Sequence, residues 1–228
     1  MESETSLSNE SVTEAQQVRD FCVPRLDAAC VSRHRRSVSK LRVQIVGAAY
    51  HVNGKAVDGA KLFRDDADRL AFLSLLGDQA RRSEWCILGY SLMTTHYHLI
   101  LKLRKLTLSS GFQRLNSVYA RSFNRRHNRR GALWQSRFFD DIVDTDEHLF
   151  EAIRYVALNA SRANACRAPE DWPWSNYGAA IGLSTPDPIV DERELLRLFG
   201  TRPRDARRTL RAMVDELDPR RRRAQRRV

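Results

Sequence analysis

Apolar residues follow two rhythms along this chain. From Val43 to Val52 they run almost without interruption, which predicts a mostly buried strand ended by the turn pair Asn53-Gly54. Asp65 then opens a helix through about Ser83, with Leu70, Phe72, Leu73, Leu75 and Leu76 giving it a broad apolar side. A second apolar stretch is interrupted by Thr94-Thr95. It reads as two strands, Cys86–Met93 and His96–Leu103, close enough to form an antiparallel hairpin. Ser109 or Ser110 can cap the next helix, which runs to about Arg126. Leu133–Val143 reads as a fourth strand. Thr145, followed by two acids, starts a third helix that passes Asn159 and ends near Ala163.

The element order is βαββαβ followed by a helix. That order builds a split βαβ sheet with helices on one face, the ferredoxin-like arrangement of the α+β class. Beyond it come Trp172-Pro-Trp-Ser-Asn-Tyr177, a proline-rich link at Thr185–Pro188, and two short helices at Asp191–Phe199 and Arg204–Leu217. The expected organisation is a polar and basic tail over 1–40, a domain over 41–182, and a helical extension with an arginine-rich end over 183–228. Residues 1–20 carry few large apolar groups, and Arg33–Lys40 is basic. There is no internal repeat.

Charge narrows the partners. The chain holds 39 Lys and Arg against 28 Asp and Glu among its 228 residues, a formal net charge of +11. Arginine supplies most of the excess, and its planar fork suits phosphate, so nucleic acid is the expected partner. The four cysteines, Cys22, Cys30, Cys86 and Cys166, are scattered with no Cys-x-x-Cys pair, which argues against a zinc ribbon. No early apolar segment and no run near 20 apolar residues occurs, so a cytoplasmic protein with reduced thiols and no membrane association is expected.

Two constellations carry candidate chemistry. His96 and His98 flank Tyr97 in a strand, so both imidazoles point to one face and can hold one divalent ion. In the last core helix, a step of about 100° per residue aligns Glu151, Tyr155, Asn159 and Arg162 on one stripe. Phe150, Ile153, Ala157 and Ala160 lie on roughly the opposite, buried face. By geometry alone Tyr155 is either a surface residue or a site residue. Tyr119 shares a core stripe with Phe112, Leu115 and Phe123, and a core tyrosine with a tethered hydroxyl explains it. Tyr50, Tyr90 and Tyr97 read as packing residues. His51 reads as a structural strand histidine, although it could approach the pair if the strands are neighbours. His34, His127 and His148 look solvated.

Three segments together resemble a known family. They are Gly89-Tyr-Ser-Leu-Met-Thr-Thr-His-Tyr-His-Leu-Ile-Leu101, Phe123-Asn-Arg-Arg-His-Asn-Arg-Arg-Gly-Ala-Leu-Trp-Gln-Ser-Arg-Phe138 and Arg154-Tyr-Val-Ala-Leu-Asn159. In spacing they resemble the single-tyrosine HUH transposases (IS200-like), most closely the REP-associated subgroup, over roughly Leu41 to Gly182. The Trp172–Tyr177 segment also matches that family's usual ending. The chain departs from the family's Met-Pro-Asn-His at Met93-Thr-Thr-His. It departs from Asn-Pro-Val at Asn159-Ala-Ser, and from an Asn-Arg-Gly type turn at Asn53-Gly-Lys.

The resemblance implies a ferredoxin-like fold and metal-dependent nicking and joining of single-stranded or hairpin DNA. It implies Tyr155 as the nucleophile, and His96, His98 and Asn159 as ligands of a divalent metal, Mg²⁺ or Mn²⁺. The covalent product would be a 5′-phosphotyrosine. Arg121, Arg125, Arg126, Arg129, Arg130 and Arg137, with the run Arg220–Arg227, would neutralise the DNA backbone. Trp134, Trp172, Trp174 and Phe139 could stack on bases but read more simply as core. Family members act as monomers or homodimers, and either fits. The alternative from another class is a catalytically silent hairpin-binding protein of the same fold. An RNA-binding protein with an accidental histidine pair has no supporting RNA motif.

Overall fold

A four-stranded antiparallel sheet in the order β2-β3-β1-β4 organises the computed structural model, which describes residues 43–216 and 218. In chain order the elements are β1 (Ala49–Lys55), α1 (Asp66–Ser83), β2 (Trp85–Leu92), β3 (His96–Leu103), α2 (Leu108–Arg126), β4 (Phe139–Val143) and α3 (Asp146–Arg162). Three short helices follow, α4 (Tyr177–Ala180), α5 (Glu192–Arg197) and α6 (Pro203–Glu216). This is the expected ferredoxin-like order, with β1 and β3 at the centre of the sheet. The expected N-terminal tail, His34 and the run Arg220–Arg227 lie outside the described residues. Among the described residues no helix is long and apolar enough to cross a membrane.

Alternating side chains send the two central strands into two separate cores. Tyr50 and Val52 of β1 and Tyr97, Leu99 and Leu101 of β3 pack with Phe72 of α1 and with Phe112 and Tyr119 of α2. On the other face Ala49, Ile100 and Val143 pack with Ile153 and Val156 of α3, and with Leu195, Leu210 and Val214 from α5 and α6. The expectation of helices on one face therefore holds for α1 and α2 only. The third helix covers the reverse face because its apolar stripe needs a sheet face of its own.

Several boundaries differ from those read off the sequence. Strand β1 starts at Ala49, after Gly47 breaks the apolar run with a φ of 84°. It then continues through Asn53-Gly54, which forms no turn. Gly54 lies directly opposite Tyr97, and a Cβ there would sit 2.6 Å from the tyrosine ring. The glycine serves close approach of backbone to an aromatic ring. Strand β4 keeps only the last five of its eleven expected residues. The apolar residues before it fill a core-facing loop, in which Leu133 and Phe138 are buried and Trp134 bridges to Ala56. Helix α2 starts after Thr107, ahead of Ser109 and Ser110, with no side-chain cap from Thr107; Gln44 Oε1 accepts from Leu108 N at 2.7 Å instead. On α1, Leu70 is 59% exposed while Arg69 is buried, because the Arg69 guanidinium packs over the rings of Trp172 and Trp174.

The turn before β3 is held from several sides. Met93 N donates to His96 O, Thr94 O accepts from Leu62 N and Phe63 N, and Thr95 O accepts from Ala56 N. Leu92 N donates to Trp174 O, Trp172 Nε1 donates to Leu92 O at 3.2 Å, and Asn176 Oδ1 accepts from Tyr90 N at 2.8 Å. The Trp172–Tyr177 segment is thus a brace along β2.

Gly54→Ala should destabilise the fold by about 1–3 kcal/mol, because the added methyl must displace a fully buried ring. Thermal unfolding checks this; for a domain of this size each kcal/mol lowers the midpoint by roughly 2–4 °C. A midpoint within a degree of the native one would contradict it.

Candidate active site

The face of β3 turned away from Tyr97 carries His96 and His98, and the same face of β1 carries His51, Asn53 and Lys55. In register, Asn53 lies opposite His98 and Lys55 opposite His96. Helix α3 crosses this face. Its Thr145 cap accepts from His148 N at 3.1 Å, and acids fill its first turn. Its apolar side seats on Ile100 and Val143. That seating brings Tyr155 and Asn159, one turn apart, down onto the histidines.

The expected pair and the expected tyrosine come together. The rings of His96 and His98 are 5.1 Å apart, and Tyr155 meets His98 edge-on at 5.1 Å between centroids. Tyr155 is 40% exposed, so its ring is reachable from solvent while it touches the site. The Arg162 guanidinium lies over that ring, 6.0 Å from its centroid. Asn159 departs from the polar-stripe reading: only 9% of it is exposed. Its Oδ1 is buried and makes no hydrogen bond of normal geometry among the described residues, although the Asn159 side chain lies within reach of the His96 ring. A buried acceptor without a well-formed hydrogen bond is costly, of order 1–3 kcal/mol, and calls for an explanation.

His51 lies in this cluster, as the sequence reading allowed if β1 and β3 were neighbours. Its Nε2 lies 3.0 Å from His98 Nδ1, and its ring is 5.7 Å from Tyr155. The signal available in the sequence was parity: His51 sits an even number of residues from Asn53 and Lys55, on one face of a strand. The pairing of β1 with β3 was needed to make it count. The other histidines lie elsewhere. His127 is not solvated: its Nε2 contacts the Asp68 carboxylate at 2.9 Å and its ring packs on Phe123. His148 sits between Asp144 and Asp141.

The rival tyrosine lies in the opposite core. Tyr119 is buried, its hydroxyl donates to Leu62 O at 2.7 Å, and burial raises its pKa. Tyr50, Tyr90 and Tyr97 are likewise buried packing residues.

The arginines expected to meet DNA are spread. Arg121, Arg125 and Arg126 are carried by α2, across the sheet from the histidines. Arg126 pairs with Asp65 and with the buried Asp68. Arg129 is fixed by Asn124 Oδ1 and Ala132 O, and with Lys61 and Arg64 it lines an open groove of about 580 Å³. Arg130 and Arg137 are exposed in the loop before β4. That groove adjoins the turn before β3, since Ala56, Leu62 and Phe63 bond to Thr94 and Thr95. Trp134 and Trp172 are partly buried with their indole N–H groups satisfied, whereas Phe139 is exposed beside Asn53.

Burial keeps the imidazoles of the site neutral near pH 7. Burial, then His51 and His96, push the His98 pKa down to about 3. Burial also lowers those of His51 and His96; at His96 Asn159 opposes the shift and Lys55 adds to it. Among the described residues no three His, Cys, Asp or Glu side chains converge on one point. A cation site here therefore needs the amide. Two neutral imidazoles beside a buried amide oxygen that makes no well-formed hydrogen bond are a donor set that fits a divalent ion with borderline N/O preference.

Residues 45–159 match the IS200-like transposase family. A REP-associated tyrosine transposase of Haemophilus influenzae is 26% identical over 97 residues, which is 38% of this chain and 55% of that protein. The chain thus spans about half the length of the curated relative it matches. The solved structure of a REP-associated tyrosine transposase bound to a REP hairpin aligns with a TM-score of 0.56 at 16% identity, over 65% of this chain and 88% of that one. At that identity the likeness is one of fold.

The depressed pKa of His98 sets a pH window for stability. Below pH 6.5 the unfolded chain binds a proton at this residue that the native site does not accept. Stability is therefore complete above about pH 6.5 and falls as pH drops toward 3. Unfolding midpoints between pH 7.5 and 5 should decline, and His98→Gln should flatten that decline. An unchanged slope in His98→Gln would contradict the assignment.

Proposed function

The chain belongs to the IS200-like transposase family, and on that premise we propose that it cleaves and rejoins single-stranded or hairpin DNA with Tyr155 as the nucleophile. The observation that carries this reading is the contact of Tyr155 with His98, beside a buried Asn159 amide that reaches His96.

The phenolic Oη of Tyr155 attacks the scissile phosphorus and loses its proton. The bond to the 3′-oxygen breaks, and that oxygen takes up a proton as it leaves. A 5′-phosphotyrosyl link and a free 3′-OH result. Attack by another 3′-OH on the same phosphorus reverses these changes and joins strands. The covalent link retains the phosphodiester energy, so no nucleotide cofactor is required. His96, His98 and Asn159 are the residues that would hold a divalent ion, Mg²⁺ or Mn²⁺, which when bound neutralises charge developing on phosphate oxygens. That donor set is uncharged, so it binds such an ion weakly and leaves room for substrate oxygens.

The chain's own cations complete the neutralisation. Lys55 lies across from His96 at the exposed end of β1, and Arg162 lies over the Tyr155 ring. The groove lined by Lys61, Arg64 and Arg129 is the natural rest for a phosphate backbone, because it leads to the turn that delivers His96.

A labelled hairpin oligonucleotide from the DNA flanking the gene tests the chemistry. The native chain should give a covalent protein–DNA band on a denaturing gel. EDTA should abolish it, and Mg²⁺ or Mn²⁺ should restore it. Tyr155→Phe should form no adduct and still bind the hairpin, whereas Tyr119→Phe should form adduct at near-native rate. Adduct from Tyr155→Phe but none from Tyr119→Phe would overturn the assignment. Hairpin binding with no adduct from any form of the chain would favour a silent binder.

The groove makes a separate prediction. Replacing Lys61 and Arg64 together by alanine should weaken hairpin binding and reduce the slope of log affinity against log salt by about 1.4–1.8, two phosphate contacts' worth. An unchanged slope would move the DNA path elsewhere.

A further inference from the structure

His51 and His98 face each other through one nitrogen each, His51 Nε2 and His98 Nδ1, at 3.0 Å. Two lone pairs cannot lie this close without a proton between them. A neutral imidazole carries a single N–H and a single ring-nitrogen lone pair, so a neutral pair at this distance shares one proton. One shared proton leaves two arrangements. If His51 donates, His98 holds its own proton on Nε2, and that nitrogen has no lone pair to offer a cation. If His98 donates from Nδ1, its Nε2 lone pair is free.

The strand order chooses between them. Strand β1 lies between β3 and β4, so the His51 ring has His98 on one side and β4 on the other. The β4 residue directly across from His51 is Asp141. The register puts both side chains on one face of the sheet, where a carboxylate favours a proton-bearing ring edge turned toward it. That field draws the His51 proton to Nδ1 and leaves Nε2 as the acceptor. His148 Nε2 lies 3.6 Å from the same carboxylate and acts on His51 in the opposite sense, so the proton on His51 answers to the balance of these two neighbours.

Resting on the ligand reading given above, we propose that His51, backed by Asp141, is a positioning residue that fixes His98 as the Nδ1–H tautomer and so presents its Nε2 lone pair to a divalent ion. It acts from behind the ligand and is not a third ligand. The same arrangement, a ligating histidine whose other N–H is held by a fixed acceptor, raises ligand basicity and orients the ring. Here the acceptor is an imidazole and the carboxylate stands one step further back. A purely structural His51 would need no particular nitrogen aimed at His98.

Two readouts on the full chain test this, neither of them cleavage. Long-range ¹H–¹⁵N spectra of the metal-free protein at pH 7.5 report which nitrogen of His98 carries the proton; Nδ1–H is expected. Titration with Mn²⁺, followed by the resonance of the free ion, reports affinity. His51→Gln puts an amide oxygen close to the place of Nε2 and should keep affinity within about threefold, whereas His51→Leu should lose about 10- to 100-fold. Thermal unfolding confirms that each variant is folded; if His51→Leu does not fold, Asp141→Asn takes its place, with a shift of His98 toward Nε2–H and weaker Mn²⁺ binding expected. A native His98 protonated on Nε2 would overturn the proposal, as would His51→Leu binding Mn²⁺ as tightly as the native chain. If the native chain shows Nδ1–H yet binds no Mn²⁺, the positioning of His98 stands and the ligand reading of the site falls.

Discussion

The pairing of β1 with β3 at the centre of the sheet is the constraint on which the other features rest. In a strand the side chains alternate, so three consecutive residues of β3 serve both faces: Tyr97 enters the core under α1 and α2 while His96 and His98 enter the site under α3. A slip of one residue would send the imidazoles into the aromatic core and the tyrosine into the site. The register is guarded where the two strands come closest. Gly54 leaves room for the Tyr97 ring, and that ring packs against Phe72 and Trp134. The aromatic core on one face thereby sets the histidine positions on the other.

Helix α3 is the second half of the device. Its apolar side is anchored by Ile100 and Val143 of the sheet and by α5 and α6 behind it. Because the helix is fixed along its length, Tyr155 and Asn159 have little freedom relative to the histidines. Burial of Asn159 follows from that seating, and it leaves an acceptor oxygen with no well-formed hydrogen bond among the described residues. Such a group is tolerated where something else satisfies it or where its cost is offset elsewhere. The brace formed by Trp172–Tyr177 holds β2 and the turn before β3 from the far side, so the site is supported by segments distant from it in sequence.

Electrostatics divide the molecule. The site interior is built from neutral groups, with imidazoles kept uncharged by burial and an amide. Cations sit at its rim, with Lys55 and Arg162 at the mouth and Lys61, Arg64 and Arg129 in the adjoining groove. Other arginines of the basic stretch are committed internally. Arg126 neutralises the buried Asp68, which also contacts His127 and accepts from Arg64 N. Net charge therefore overstates the number of arginines free to meet an anion.

Much of this was legible in the sequence, because it depends on local periodicity. The order of strands and helices, the shared face of His96 and His98, and the apolar stripe of α3 follow from spacings of two and of about 3.6 residues. Turn and cap residues were less reliable. Asn53-Gly54 reads as a turn by local chemistry, yet the glycine answers to a ring on another strand. The apolar run from Leu133 reads as strand, yet half of it fills a loop under the sheet. Which histidines belong together, which face α3 covers, and whether Asn159 is wet or dry are properties of pairing between distant segments. No local pattern encodes the distance between His51 and His98, since 47 residues separate them and only the β1–β3 ladder brings them to 3.0 Å. Local sequence determined the elements and their faces; the tertiary structure alone decided which faces meet, because that choice is made by packing of surfaces far apart in the chain.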